Sequence, residues 1–193
     1  MKDASPARFE CTCGTVAGEV TSASRKTGTH VECFCVDCRA AQIYLGQPDP
    51  HPNGVHIFQI SPEMVHFSQG TEHLRILRLG PKGLMRWYAD CCKAPLFNTL
   101  PKPTIPFAGL IVDRLQDPAR IGKVVTQSFL PGKDGARRHK GALTMTMQVL
   151  KRAVAARMSG KWRDTPFFDI ETGAPTAPVH ILDKRERQAL FRS

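Results

Sequence analysis

Six residues, Cys33-Phe34-Cys35-Val36-Asp37-Cys38, carry three thiols in the pattern Cys-x-Cys-x-x-Cys. Thiols two or three residues apart on an irregular turn can aim their sulfurs at one point. Thiolates are soft ligands that suit a tetrahedral Zn²⁺ at about 2.3 Å. Three ligands leave one position open, the arrangement of a catalytic zinc, whereas a structural zinc is closed by a fourth side chain. The closing ligand, if there is one, must come from elsewhere in the chain, and His30, His51 and His56 are the nearest candidates.

The remaining cysteines form two further dithiols, Cys11-Thr12-Cys13-Gly14 upstream and Cys91-Cys92 downstream. These four can close a second, structural zinc site, so the seven cysteines divide as four plus three. An odd count argues against a pure disulfide framework, and a vicinal pair such as Cys91-Cys92 forms only a strained disulfide. Gly14 follows the first dithiol at once, where it lets the backbone turn tightly and can direct its amide at a sulfur. The seven histidines are scattered without metal-ligand spacing.

At 193 residues the chain is long enough to bury a real core without disulfide staples. Met1 to Pro6 holds no apolar run behind Lys2, and no stretch approaches a membrane span, so a cytoplasmic protein with no membrane partner is expected. Clustered thiols in that reducing compartment bind metal or do redox work. The net charge of +10 comes from 27 basic against 17 acidic residues. Much of the excess follows Lys133, in Arg137-Arg138-His139-Lys140, Lys151-Arg152, Lys161-Trp162-Arg163 and Lys184-Arg185-Glu186-Arg187. These runs are interrupted by apolar residues and read first as a solvated basic face, with nucleic-acid contact or steering of an anionic substrate as the alternatives.

Strand signals dominate residues 8 to 110. Thr15–Val20 and Thr29–Glu32 flank the first two cysteine motifs, and Val55–Ile60 and Met64–Phe67 follow. Leu74–Leu79 leads through Gly80-Pro81-Lys82-Gly83 into Leu84–Ala89, a hairpin whose second arm delivers Cys91-Cys92. Two hairpin ends gripping one metal would make metal binding part of folding. Arg39–Leu45 reads as a short helical turn and Pro101–Pro106 as a stiff linker into a basic, partly helical extension spanning residues 111–193, with Ile111–Leu115 as a last strand or short helix. In that extension Ala142–Met158 is the clearest helix, with Leu143, Met147, Leu150, Val154 and Met158 on one face, read as core. Asp183 and Glu186 form a capping box for a final helix ending near Phe191.

Cys11-Thr12-Cys13-Gly14, Cys33-Phe34-Cys35-Val36-Asp37-Cys38-Arg39 and the cysteines after Tyr88 together resemble the glutathione-dependent formaldehyde-activating enzyme and centromere protein V family. The resemblance spans roughly residues 8 to 110. It implies a mainly β, zinc-built fold similar to Mss4 (a β-tent), with a C-terminal helical extension added here. It also implies structural-zinc ligands at Cys11 and Cys13, and a catalytic zinc at Cys33, Cys35 and Cys38. The third motif departs from the family's Cys-x-x-Cys-Gly: Cys92 matches its second cysteine, Ala89 stands at the first, and Lys93 replaces the glycine. Cys91 is the natural substitute, and whether both neighbours ligate is open.

The function so implied is that of a zinc-dependent carbon–sulfur lyase acting on a thiol adduct such as S-hydroxymethylglutathione. Its partner is a small thiol such as glutathione, whose carboxylates Arg39 or Lys93 could bind. The competing reading is a non-enzymatic zinc module that binds nucleic acid or a protein through its basic extension.

Overall fold

A computed structural model describes residues 5–132 and 135–190 of the chain; Lys133 and Phe191 lie outside them. The described chain is mainly β. In order it forms β1 (Ala7–Glu10), β2 (Ala17–Val20), the single turn α1 (Ser24–Thr27), β3 (Thr29–Cys33), α2 (Val36–Tyr44), β4 (Val55–Ile60), β5 (Val65–Gln69), β6 (Leu74–Arg78), β7 (Met85–Ala89), β8 (Ala94–Thr99) and β9 (Ala108–Ile111). Then come β10 (Thr126–Pro131), β11 (Arg137–Lys140), α3 (Ala142–Met158), β12 (Val179–Ile181) and α4 (Lys184–Leu190).

The strands build a three-stranded sheet, β1-β2-β5, and a nine-stranded sheet in the order β11-β10-β3-β4-β9-β8-β7-β6-β12. Pairing is antiparallel except for β10 with β3 and β12 with β6. Both edges of the large sheet are therefore supplied by chain beyond Ile111. Pro101–Pro106, expected as a linker, lies instead in the connection between the paired strands β8 and β9. The same stiffness that suits a spacer also suits a fixed hairpin connection.

Strand alternation separates the two faces of the large sheet. Phe58, Leu110, Phe97 and Trp87 lie on one rung across β4, β9, β8 and β7, each at most 1% exposed. This row packs with Phe9, Val16, Val20 and Val65 of the small sheet into the main core. One residue along, the next rung reads Gln59, Gly109, Asn98 and Arg86 on the opposite face. Apolar packing on one side thus leaves a polar row on the other, where α2 also sits. That helix buries Ala40, Ala41 and Leu45 with Leu77, Leu79 and Leu182.

Helix α3 has the expected bounds but not the expected inner face. Leu143, Met147, Leu150, Val154 and Met158 are between 44% and 85% exposed, and the residues buried are Arg152 and Ala156. Arg152 explains the rotation: its Nη1 donates to the Thr27 carbonyl at 2.6 Å and the Thr29 hydroxyl at 2.8 Å, so the helix docks through a buried polar anchor. Burial without a carboxylate pushes that guanidinium down to about 10. Ile111–Leu115 divides into the end of β9 and a 3₁₀ turn over Val112–Arg114. The capping box of α4 forms, with Asp183 Oδ1 accepting from the Glu186 amide at 2.9 Å and Glu186 Oε2 from the Asp183 amide at 2.8 Å.

Candidate metal centre and its cleft

Two hairpin turns, 80 residues apart in sequence, meet at the first thiol cluster. Cys11 and Cys13 lie in the β1–β2 turn, and Cys91 and Cys92 in the β7–β8 turn. All four sulfurs fall within 4.8 Å of one another. The Cys11–Cys13, Cys13–Cys91 and Cys11–Cys91 sulfur separations are 3.5, 3.4 and 4.0 Å. A tetrahedral ion with metal–sulfur bonds of about 2.3 Å needs about 3.8 Å between sulfurs, so the group can hold a metal ion. The Val16 amide donates to Cys11 Sγ at 3.2 Å. Gly14 makes the expected tight turn, and does so in the left-handed region (φ 76°), but its amide bonds the Cys11 carbonyl at 2.9 Å rather than a sulfur. Contacts with the Thr15 hydroxyl, 3.2 Å away, and the Thr15 main chain draw Cys13 down to about 6.

The neighbours Cys91 and Cys92 converge because the chain turns sharply after them. Lys93 sits in the left-handed region at φ 57°, where a side chain costs about 1–2 kcal/mol relative to glycine. An exposed ion pair between Lys93 and Asp90 offsets part of that cost. Replacing Lys93 with Gly should therefore hold or raise stability, by up to about 1 kcal/mol in urea unfolding. A loss above 1 kcal/mol would show that the turn depends on the lysine rather than tolerating it.

The second cluster follows from a strand running into a helix. Cys33 ends β3, Cys35 is the N-cap of α2, and Cys38 lies in its first turn. The helix starts three residues earlier than the sequence suggests, because Cys35 Sγ caps it by accepting from the Cys38 amide at 3.3 Å. The Phe34 amide is tied to the Ser128 carbonyl of β10 at 2.9 Å. Cys33 and Cys38 sulfurs are 3.7 Å apart and all three lie within 4.8 Å. Hydrogen bonds from the thiols of Cys33 and Cys38 draw Cys35 well below its ordinary range; the contact with Cys35 pushes Cys33 up, and hydrogen bonds with Cys33 and then Cys35 push Cys38 up. Negative charge in this group is therefore favoured at Cys35, at a helix N-terminus that also favours it.

No histidine or carboxylate completes this group among the described residues. His30 and His56 face each other instead, with Nε2 and Nδ1 3.1 Å apart, and His30 Nδ1 lies 2.9 Å from the Gly122 carbonyl. Burial holds the His30 imidazole below its ordinary value. His51 is exposed, and its amide donates to Asp49.

The three sulfurs line a cleft of about 400 Å³ bounded by the polar face of the large sheet, the start of α2, Met145 of α3 and the β10–β11 hairpin. Arg86 and Asn98 reach into it from the sheet, Ser128 from β10, and Arg137 and Phe129 stand on the hairpin wall. Neither cation named from the sequence lines it. Arg39 is bound at two points by Asp49, at 2.8 and 2.7 Å, and Lys93 is held by Asp90. Arg86 was not legible in the chain: between Met85 and Trp87 it reads as the solvent-facing member of an alternating strand. The missing signal is its register partner Asn98, twelve residues on.

Fold and site together define a mainly β protein with two cysteine groups that can hold metal ions. The chain belongs to DUF6151, a family of unknown function that matches residues 4–179. A crystal structure of a Rhodobacter sphaeroides protein aligns at 20% identity and a TM-score of 0.41, covering 61% of this chain and 96% of that one. No curated protein matches the chain. No helix among the described residues is long and apolar enough to cross a membrane.

Proposed function

We propose that the chain is a cytoplasmic zinc protein of Mss4-like type that acts on thiol adducts as a carbon–sulfur lyase. Cys11, Cys13, Cys91 and Cys92 hold a structural ion, and Cys33, Cys35 and Cys38 a reactive one. The observation that carries this reading is a three-sulfur group, with no fourth ligand among the described residues, that opens into a cleft. The donor set fits: soft sulfurs, a helix N-terminus and an amide donating to Cys35 Sγ all favour thiolates. Zn²⁺ bound there supplies a Lewis acid that attracts a thiol sulfur or polarises an adduct oxygen.

The chain's own residues confine the ligand. Phe129 and Met145 narrow the cleft, and Arg137 places positive charge on the hairpin wall for an anionic substrate. For an S-hydroxymethyl thiol, the carbon–sulfur bond breaks, the hydroxyl proton passes to sulfur, and an aldehyde and free thiol leave. Atoms balance without any oxidant.

Cys35→Ser tests the reading cleanly, because serine also caps a helix. Protein purified under reducing conditions is expected to carry two zinc ions, falling to one in the variant, with loss of formaldehyde release from S-hydroxymethylglutathione. A single zinc that survives the substitution would sink the proposal. A second reading, contact with nucleic acid, is favoured by the exposed run Arg137-Arg138-His139-Lys140 on edge strand β11. It predicts salt-sensitive binding to DNA or RNA without turnover.

A further inference from the structure

Among the buried cations of this fold, Arg86 stands out for what it does not touch. It is 4% exposed, its Nε has no hydrogen-bond partner, and its Nη1 makes only a long 3.4 Å contact to the Leu84 carbonyl. Among the described residues no carboxylate pairs with it. Its charge acts on the Cys35 sulfur of the same cleft, but among the described residues no side-chain acceptor replaces its lost hydration, which destabilises the fold.

Other unpartnered polar atoms gather on the same face. Gln59 Oε1 and the buried Ser128 Oγ also lack partners, and both residues line the same cleft. Asn98 is 6% exposed on the rung between Arg86 and Gly109. A Cβ at Gly109 would come within 2.7 Å of Ile57 Cγ2, so the row has no room for a larger residue there. Buried polar groups are normally satisfied; of the eight unpartnered buried side-chain atoms among the described residues, those of Arg86, Gln59 and Ser128 line one cleft, and that grouping marks a place prepared for a polar ligand.

We propose that Arg86, with Asn98 and Gln59 beside it on the sheet, is an anion subsite that receives a carboxylate of the thiol ligand while the ligand's sulfur sits at the Cys33, Cys35 and Cys38 centre. The inference rests on the reading of that centre as a thiol site. A guanidinium presents two parallel donors that match a planar carboxylate. One buried positive charge matches one carboxylate rather than a phosphate dianion. The cleft volume suits a small organic molecule.

The test compares 3-mercaptopropionate with 2-mercaptoethanol, thiols that differ in the carboxylate, by calorimetric titration of the full chain with its metal content measured in parallel. Wild type is expected to bind mercaptopropionate at least tenfold tighter, about 1.4 kcal/mol. Arg86→Gln should abolish that preference while leaving mercaptoethanol affinity, metal content and the unfolding midpoint undiminished, and Arg86→Lys should keep part of it. Asn98→Ala should narrow the preference, and carries the comparison if Arg86→Gln does not fold. Equal affinities in wild type, a preference that persists in Arg86→Gln, or metal lost from that variant would each overturn the subsite, the last by showing that Arg86 serves the metal's charge. Binding of neither thiol would remove the thiol reading alone. Propionate, followed by NMR, then decides the subsite: Arg86-dependent binding keeps it, and no binding overturns it.

Discussion

Cys11→Ser should strip one metal ion from the protein and lower its thermal unfolding midpoint by about 10 °C or more. Cys11 is 2% exposed and belongs to the same core as Phe9 and Val16, so its sulfur joins the four-thiol group to the packed interior. The turns it links are far apart in sequence, and holding them together offsets a loop-closure cost that the free chain otherwise keeps. Structural zinc contributes about 10–16 kcal/mol of binding energy in small zinc-finger peptides. Retaining only about 3–5 kcal/mol of that here corresponds to roughly 10 °C or more for a chain of this size, at about 2–4 °C per kcal/mol. Circular dichroism melts with metal analysis on the same samples would read it. The exposed Cys13→Ser should lose the same ion with less damage to packing. A Cys11→Ser midpoint within about 2 °C of wild type would mean that the four thiols do not form a structural centre.

The two thiol groups were legible because most of their cysteines are local to one another. Cys33, Cys35 and Cys38 need only a strand end and one helical turn to converge, and the Cys-x-Cys-Gly spacing marks a turn by itself. Cys91 and Cys92 were legible as candidate ligands beside Cys11 and Cys13, but how two neighbours converge was not, since the turn places Lys93 in a left-handed conformation that composition does not reveal. The cleft was not legible at all. Its floor is a register across β4, β9, β8 and β7, and no local pattern states which residues lie on one rung.

The helix α3 shows the complementary failure. Its period was correct, yet a stripe of five apolar residues lost the inner position to one arginine with two short hydrogen bonds. Strands β10 and β12 were missed because each is short and gains its identity from a parallel partner distant in sequence. The basic run 137–140, read as a solvated face, is indeed exposed, but as an edge strand whose charges discourage pairing with another chain.

Phe167→Ala carries the other large expected effect and bears on domain organisation. Phe167 belongs to the segment expected as an extension, yet it is fully buried, with ring centroids 5.0 Å from Trp87, 5.2 Å from Phe97 and 6.0 Å from Phe67. Trp87 and Phe97 belong to the large sheet and Phe67 to the small one, so this ring plugs the seam between them. Truncating such a residue costs about 3–5 kcal/mol, which here means a midpoint lowered by roughly 10 °C. Leu143→Ala is the matched control: 77% exposed on α3, it should change stability by no more than about 0.5 kcal/mol. A Phe167→Ala cost below about 1 kcal/mol would mean that residues 8–110 fold as an independent domain carrying an appendage. The expected larger cost would instead make the C-terminal chain part of the unit that carries the thiol groups, because Phe167 and Cys11 are buried in one core and the cleft beside Cys35 is walled by Ser128 and Met145 from the same half of the sequence.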